Sequence, residues 1–98
     1  MQITLSTTGA EVVPQGNLRR SLLFINADTA INIFLKKTRP TEGAASSTDR
    51  DVILQPGGSF ALNTQEDGEE SVHERWTAVA ASGTPVLVFF ETKDRKYI

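Results

Sequence analysis
The chain sets short apolar runs between polar punctuation, and the runs never settle into a helical period. No window keeps apolar residues at i, i+3, i+4 and i+7 between two caps, so no helix is predicted. Stretches rich in Ile, Val, Phe, Thr and Leu are instead broken by Gly, Pro, Asn and Asp, the pattern of an all-β chain. Strands are predicted over Gln2 to Ser6, Glu11 to Pro14, Arg20 to Asn26, Ala30 to Lys36, Asp51 to Leu54, Ser59 to Asn63, Arg75 to Ala80 and Pro85 to Thr92. Ala27-Asp28-Thr29 and Ala81-Ser82-Gly83-Thr84 read as hairpin loops, and Gln55-Pro56-Gly57-Gly58 reads as a type II turn. The predicted fold is a single antiparallel β-sandwich or small jelly-roll-like barrel of seven to eight short strands.

Two segments fall outside this pattern. Lys37 to Arg50 is a polar stretch of small residues, and Gln65 to Glu74 is an acidic loop carrying Glu66, Asp67, Glu69, Glu70 and Glu74. Loops this long in a small domain are functional or disordered. One domain spans residues 1–98, with 1–14 as an N-terminal arm of edge strands and 93–98 as an exposed tail.

The phase of the apolar residues adds a second inference. Ile31, Ile33 and Leu35 alternate with Asn32, Phe34 and Lys36, as a half-wet strand should. Leu22 to Ile25 and Val86 to Phe90 run on without a break, so those strands want both faces covered. The cover is either the N-terminal strand folding over or a second surface, another copy or a partner. Leu23, Phe34, Trp76 and Phe89 are the predicted subunit-interface residues.

Composition removes whole chemistries. The chain has 98 residues, no Cys and a single His. Disulfide frameworks, thiol catalysis and Cys-rich zinc sites are thereby excluded, and multi-His metal sites with them. A formal net charge of −2 leaves no footprint for nucleic acid and no polybasic membrane anchor. No signal peptide and no transmembrane run is read in the chain, which is expected to be synthesised in a host cytoplasm.

Candidate chemistry is sparse. His73 lies in the acidic segment with no G-x-S-x-G elbow, and is read as a solvated loop histidine. The acidic run lacks the spacing of a calcium loop, so no metal and no cofactor is expected. Gly57 and Gly58 lack the phosphate-loop frame. Arg19, Arg20, Lys36, Lys37 and Arg39 are read as lining a hairpin edge, where cations discourage aggregation or pair with an acidic partner. Trp76 is either a platform for a sugar ring or a core residue alternating with Ala78 and Ala80, large against small. No catalytic residue is expected.

A resemblance covers about four-fifths of the chain, from Gln15 to Glu91. It rests on three motifs in order: Arg20 to Asn26 as "Arg-x-x-Leu-x-Ile-x-Asn"-like, Leu54-Gln55-Pro56-Gly57-Gly58-Ser59, and Ala78 to Thr84 before a Val-rich last strand. In these the chain resembles the small β-sandwich virion proteins of tailed bacteriophages. It departs from them in Ala27 and Asp28, where Gly is common, and in a longer acidic segment. The resemblance implies a non-enzymatic capsid decoration (cement) protein, often trimeric, on the capsid exterior of the virion. Its partners would be the major capsid protein and itself. Gln2, Ile3, Thr4 and Leu5, with Arg39 and Arg50 from the long loop, are the expected partner-binding residues. A carbohydrate- or receptor-binding module using Trp76 and the acidic segment is the alternative.

Overall fold
Eight strands and one helix form where hydrogen-bonded extended segments can bury alternate side chains. They are β1 (Gln2–Thr4), β2 (Ala10–Val13), β3 (Arg19–Asn26), β4 (Ile33–Thr38), β5 (Val52–Leu54), β6 (Ser59–Asn63), α1 (Thr64–His73), β7 (Arg75–Ala80) and β8 (Val86–Lys93). This is a computed structural model that describes residues 1–93. Lys93 ends β8, and the rest of the expected tail lies outside the described residues.

The strands form two antiparallel four-stranded sheets, ordered β1-β8-β3-β6 and β2-β7-β4-β5. The pairing is nested: β4 with β5, β3 with β6, β2 with β7, and β1 with β8. The chain is therefore one long hairpin, with its tip at the 39–51 loop, wound around itself. The β3·β8 and β4·β7 pairings close the two sheets. This order is the jelly roll, an all-β sandwich.

The two expected hairpins are corrected by this topology. β3 and β4 lie in different sheets, as do β7 and β8, so the 27–29 and 81–84 joins cross the sandwich. Paired side by side, β3 and β4 would have shared one sheet. Crossing sets Leu22 and Phe24 of one sheet against Ile33 and Leu35 of the other in a single buried core. Phe24 is its centre, fully buried between Trp76 at 5.6 Å and Phe89 at 6.5 Å. Trp76, Ala78 and Ala80 all point inward from β7, large against small.

The Gln65 to Glu74 segment is also corrected, from loop to helix. Asn63 caps α1: its Oδ1 accepts from the Glu66 N–H at 2.8 Å, and its own N–H donates to Asp67 Oδ2 at 2.9 Å. Glu66 and Asp67 lie in the first turn, where negative charge meets the positive end of the helix dipole. Gly68, at φ 83°, breaks the helix mid-way, and Val72 is its one buried residue. With one apolar anchor there is no stripe to reveal it in the sequence.

Two of the cations read as edge residues are buried. Arg19 is 2% exposed and Lys36 7%. Arg19 crosses under α1, and Lys36 reaches into the 39–51 loop.

Candidate functional site
The two outer faces of the sandwich are treated differently by the chain. The outer face of β2-β7-β4-β5 is covered at its centre by its own loop, with Ile53 at the β5 edge left 46% exposed. Phe34 and Val79 project there and are buried with Ala45 from the loop. The Arg50 guanidinium sits over the Phe34 ring at 4.7 Å, and it also donates to the Ser47 carbonyl. Two polar tethers hold the loop down. The Ala45 N–H donates to Thr77 Oγ1 at 2.8 Å, and Thr77 pairs with Thr38 at 2.8 Å. Lys36 Nζ donates to the Gly43 carbonyl at 2.9 Å and to Asp49 Oδ2 at 2.7 Å. The Asp49 hydrogen bond, opposed in part by burial, raises the Lys36 ammonium above its ordinary range.

Among the described residues, the outer face of β1-β8-β3-β6 has no such cover. Register places Leu23 beside Phe90 and Ala61, and Ile25 beside Val88 and Ser59. Val88 faces Gln2, and Val86 faces Thr4. The inward positions between them, Leu22, Phe24, Leu87 and Phe89, are core. Leu23, Ile25, Val86, Val88 and Phe90 belong to neither buried cluster and pack against neither. The first four are half-buried, and Phe90 is 56% exposed. This is the unbroken apolar signal of the sequence resolved in space. Each run has one dry inner face and one apolar face left open.

The predicted partner residues are scattered by this arrangement. β1 lies at the edge of its sheet, paired only with β8. It extends the sheet sideways rather than folding over it. Gln2 and Thr4 point out, but Ile3 packs on the core and Leu5 is 4% exposed within it. The side chains of Ile3 and Leu5 are therefore corrected from contact residues to core residues. Arg50 is spent on Phe34. Arg39 remains exposed, with Nη2 3.4 Å from Glu70, which also takes Lys37 at 3.3 Å. The Lys37 hydrogen bond and charge, with Arg39 behind them, lower Glu70 below the ordinary carboxylate range.

The predicted subunit-interface residues do not share a surface. Leu23 lies on the open face. Phe34 lies on the opposite face, under the loop. Trp76 and Phe89 are 3% and 7% exposed inside the sandwich. Their assignment to an interface is corrected, because a single chain already buries them. Trp76 takes the core position of its two readings, 3% exposed, and its Nε1–H donates to the Ser71 carbonyl at 2.9 Å. Ile25, Val88 and Phe90 were missed. The signal for them was present in the unbroken runs, but its phase was not, because an unbroken run does not say which alternate set turns inward.

A cleft of about 340 Å³ opens between the β5 and β6 edges, floored by Phe60, Leu62 and Trp76 and rimmed by Lys37, Asp51 and Ser71. Asp51 Oδ2 accepts the Lys37 backbone N–H at 2.8 Å, and the Lys37 ammonium is turned to Glu70. His73 is half-buried in the last turn of α1, where its carbonyl accepts the Gly16 N–H at 2.9 Å. Among the described residues, no group of three His, Cys, Asp or Glu is placed to hold a metal ion. No helix among them is long and apolar enough to cross a membrane. In comparisons with known proteins, the chain matches no family model, no curated protein and no solved structure.

Proposed function
We propose that this chain is a non-enzymatic structural protein of a bacteriophage particle, a decoration (cement) protein on the capsid exterior that bridges neighbouring major capsid subunits. The observation that carries the reading is the inequality of the two outer faces. One is covered at its centre by a tethered loop, and the other has an apolar centre that the described residues leave open. An open apolar sheet face marks a contact surface. The order of three motifs that resemble those of small β-sandwich virion proteins supports a particle as its setting and a homo-oligomer as its form.

The β1 edge supports a main-chain contact. Met1 and Phe89 exchange both backbone bonds, and the Leu5 N–H donates to the Pro85 carbonyl. In an antiparallel ladder this alternation turns the N–H and C=O of Gln2 and Thr4 away from β8. They are free to add a partner strand. Arg39 follows β4 in the other sheet, so the edge and the loop would act as separate contacts whose affinities multiply on a symmetric shell.

The test is co-sedimentation with heads of the encoding phage that lack this protein. Saturable binding in fixed ratio to the capsid subunit is expected, and no co-sedimentation overturns the reading. Removing residues 1–6 would strip Ile3 and Leu5 from the core, so the edge is tested by Thr4→Pro. This deletes one outward N–H and leaves the β8 ladder intact. Weaker head binding with unchanged unfolding is the expected result.

A further inference from the structure
The open sheet face has the anatomy of a self-contact. Its apolar centre lies on the two inner strands, Leu23 and Ile25 on β3 and Val88 and Phe90 on β8. The flanking strands present polar side chains, Thr4 on β1 and Ser59 on β6. An apolar centre within a polar rim is how protein interfaces are built.

Charge selects the occupant. The outward positions of the four strands, from Gln2 to Thr4, Ser21 to Ile25, Ser59 to Asn63 and Val86 to Thr92, carry no Asp, Glu, Lys or Arg. At the margin of the face the Met1 ammonium donates to the Phe89 carbonyl at 3.0 Å, and Arg20 lines a polar groove with Asn63 and Thr92. Such a face has nothing to complement a charged partner. Two copies of it, apposed about a twofold axis, bring no like-charged outward side chains of these strands together. Among the described residues, the 39–51 loop covers the centre of the other outer face, and this face keeps its apolar centre uncovered.

We propose that the occupant is a second copy of this chain, packed sheet on sheet about a twofold axis running between β3 and β8. This deepens the reading above and rests on its claim that the open face is a contact surface. Stacked sheets lie about 10 Å apart with their strands about 30° from parallel. Four strands about 4.8 Å apart and about five residues long give a footprint of roughly 300 Å² per copy. That is well below the roughly 800 Å² per partner of a standard stable interface. The pair is therefore reversible in solution, and it closes when copies are concentrated on a shell. An isologous contact ends at two copies, whereas a trimer needs a different, heterologous interface.

Sedimentation velocity over about 10 μM to about 1 mM reads the result. The average mass is expected to rise from 10.7 kDa toward twice that value. Phe90→Glu and Val88→Glu should hold it at the monomer across the range, with unchanged circular dichroism. Ile53→Glu, on the exposed edge of the other sheet, should leave association intact. A monomer at every concentration, a trimer, or loss of association in Ile53→Glu alone overturns the pairing. The same preparations go into the head assay. A monomeric wild type whose head binding is lost in Phe90→Glu transfers the face to the capsid contact. It overturns the pairing and keeps the reading. A monomer that binds no heads overturns both.

Discussion
Arg19 and Glu91 are joined by a 3.0 Å bond from Nε to Oε2, on an arginine side chain only 2% exposed. The same guanidinium donates through Nη1 to the Val72 carbonyl at 2.8 Å and the Glu74 carbonyl at 3.3 Å. Through Nη2 it donates to the Pro14 carbonyl. One cation thus ties β3 to β8, to the C-terminal end of α1 and to the segment leaving β2. The end of α1 carries unpaired carbonyls and partial negative charge, which a buried cation satisfies.

Replacing that cation leaves one carboxylate and several carbonyls without their donor. Arg19→Met is expected to lose about 3–5 kcal/mol in urea unfolding. Arg19→Lys keeps the charge but not the fork, and should fall between wild type and Arg19→Met. Glu91 has water within reach, so Glu91→Gln should cost about 1 kcal/mol or less. An Arg19→Met loss no larger than that of Glu91→Gln would show that the carbonyl contacts contribute nothing.

Acid weakens the fold through two glutamates. Glu70 ionises below the ordinary 4.5 because of the Lys37 hydrogen bond, then the Lys37 charge and Arg39. For Glu91, burial pushes upward, but the bonds from Lys93 and Arg19 outweigh it, and the net direction is also down. A carboxylate with a folded value below its unfolded one adds stability that is complete above the unfolded value and lost as pH falls through the folded one. Urea midpoints should therefore drop as pH falls below 4.5, and the Glu70→Gln/Glu91→Gln double variant should flatten that limb. Lys36 works in the opposite sense. Its stabilisation is complete below the ordinary 10.5 and is lost as pH rises through its raised folded value.

Asn26 is the pin of a sheet crossing. It is fully buried, and its Nδ2 donates to the Ile31 carbonyl at 2.8 Å and the Leu54 carbonyl at 2.9 Å. Its Oδ1 accepts the Asp28 N–H at 3.0 Å. Asn26→Leu strands two acceptors and the Asp28 N–H donor and should cost about 3 kcal/mol. Asn26→Asp puts a carboxylate against two carbonyl oxygens and should cost more at neutral pH. Protonation restores one donor, so the gap between the two variants should close on acidification. A gap that does not change with pH sinks this account.

Glycine matters where the loop meets the N-terminal segment. A Cβ at Gly9 would lie 2.4 Å from the Ala45 carbonyl oxygen and 2.9 Å from the Ala44 Cβ. Gly9→Ala must push the loop off the sheet and should lower stability by about 1–3 kcal/mol. Gly43→Ala meets nothing within 4 Å and should stay within about 0.5 kcal/mol. Thermal unfolding of the two variants compares them directly, and equal losses would refute the close approach.

The strands were legible because each carries local marks. β-branched and aromatic residues concentrate in them, and Asn26, Asp28 and the Gln55–Gly58 turn interrupt them at the right places. The helix was not legible. Val72 is its single anchor, Gly68 interrupts it, and its support comes from the Asn63 and Asp67 side chains rather than from an apolar stripe. The hairpins were misread because Asp28 and Gly83 specify that the chain turns. They do not specify which sheet receives the next strand.

By itself the sequence determined an all-β chain, its strand positions, the absence of thiol chemistry and an excess of apolar surface in two strands. Side-chain alternation divides each strand into two faces, and that much is local. Which face meets the core is not local. It is set by the register of Leu23 with Phe90 and of Ile25 with Val88, between strands far apart in the chain. The tertiary structure decided that Trp76 and Phe89 are inside, that Phe34 lies under the 39–51 loop, and that Phe90 is left in the open. Only the closure of both sheets around Phe24 chooses among those alternatives, because only then is one set of alternate residues removed from water.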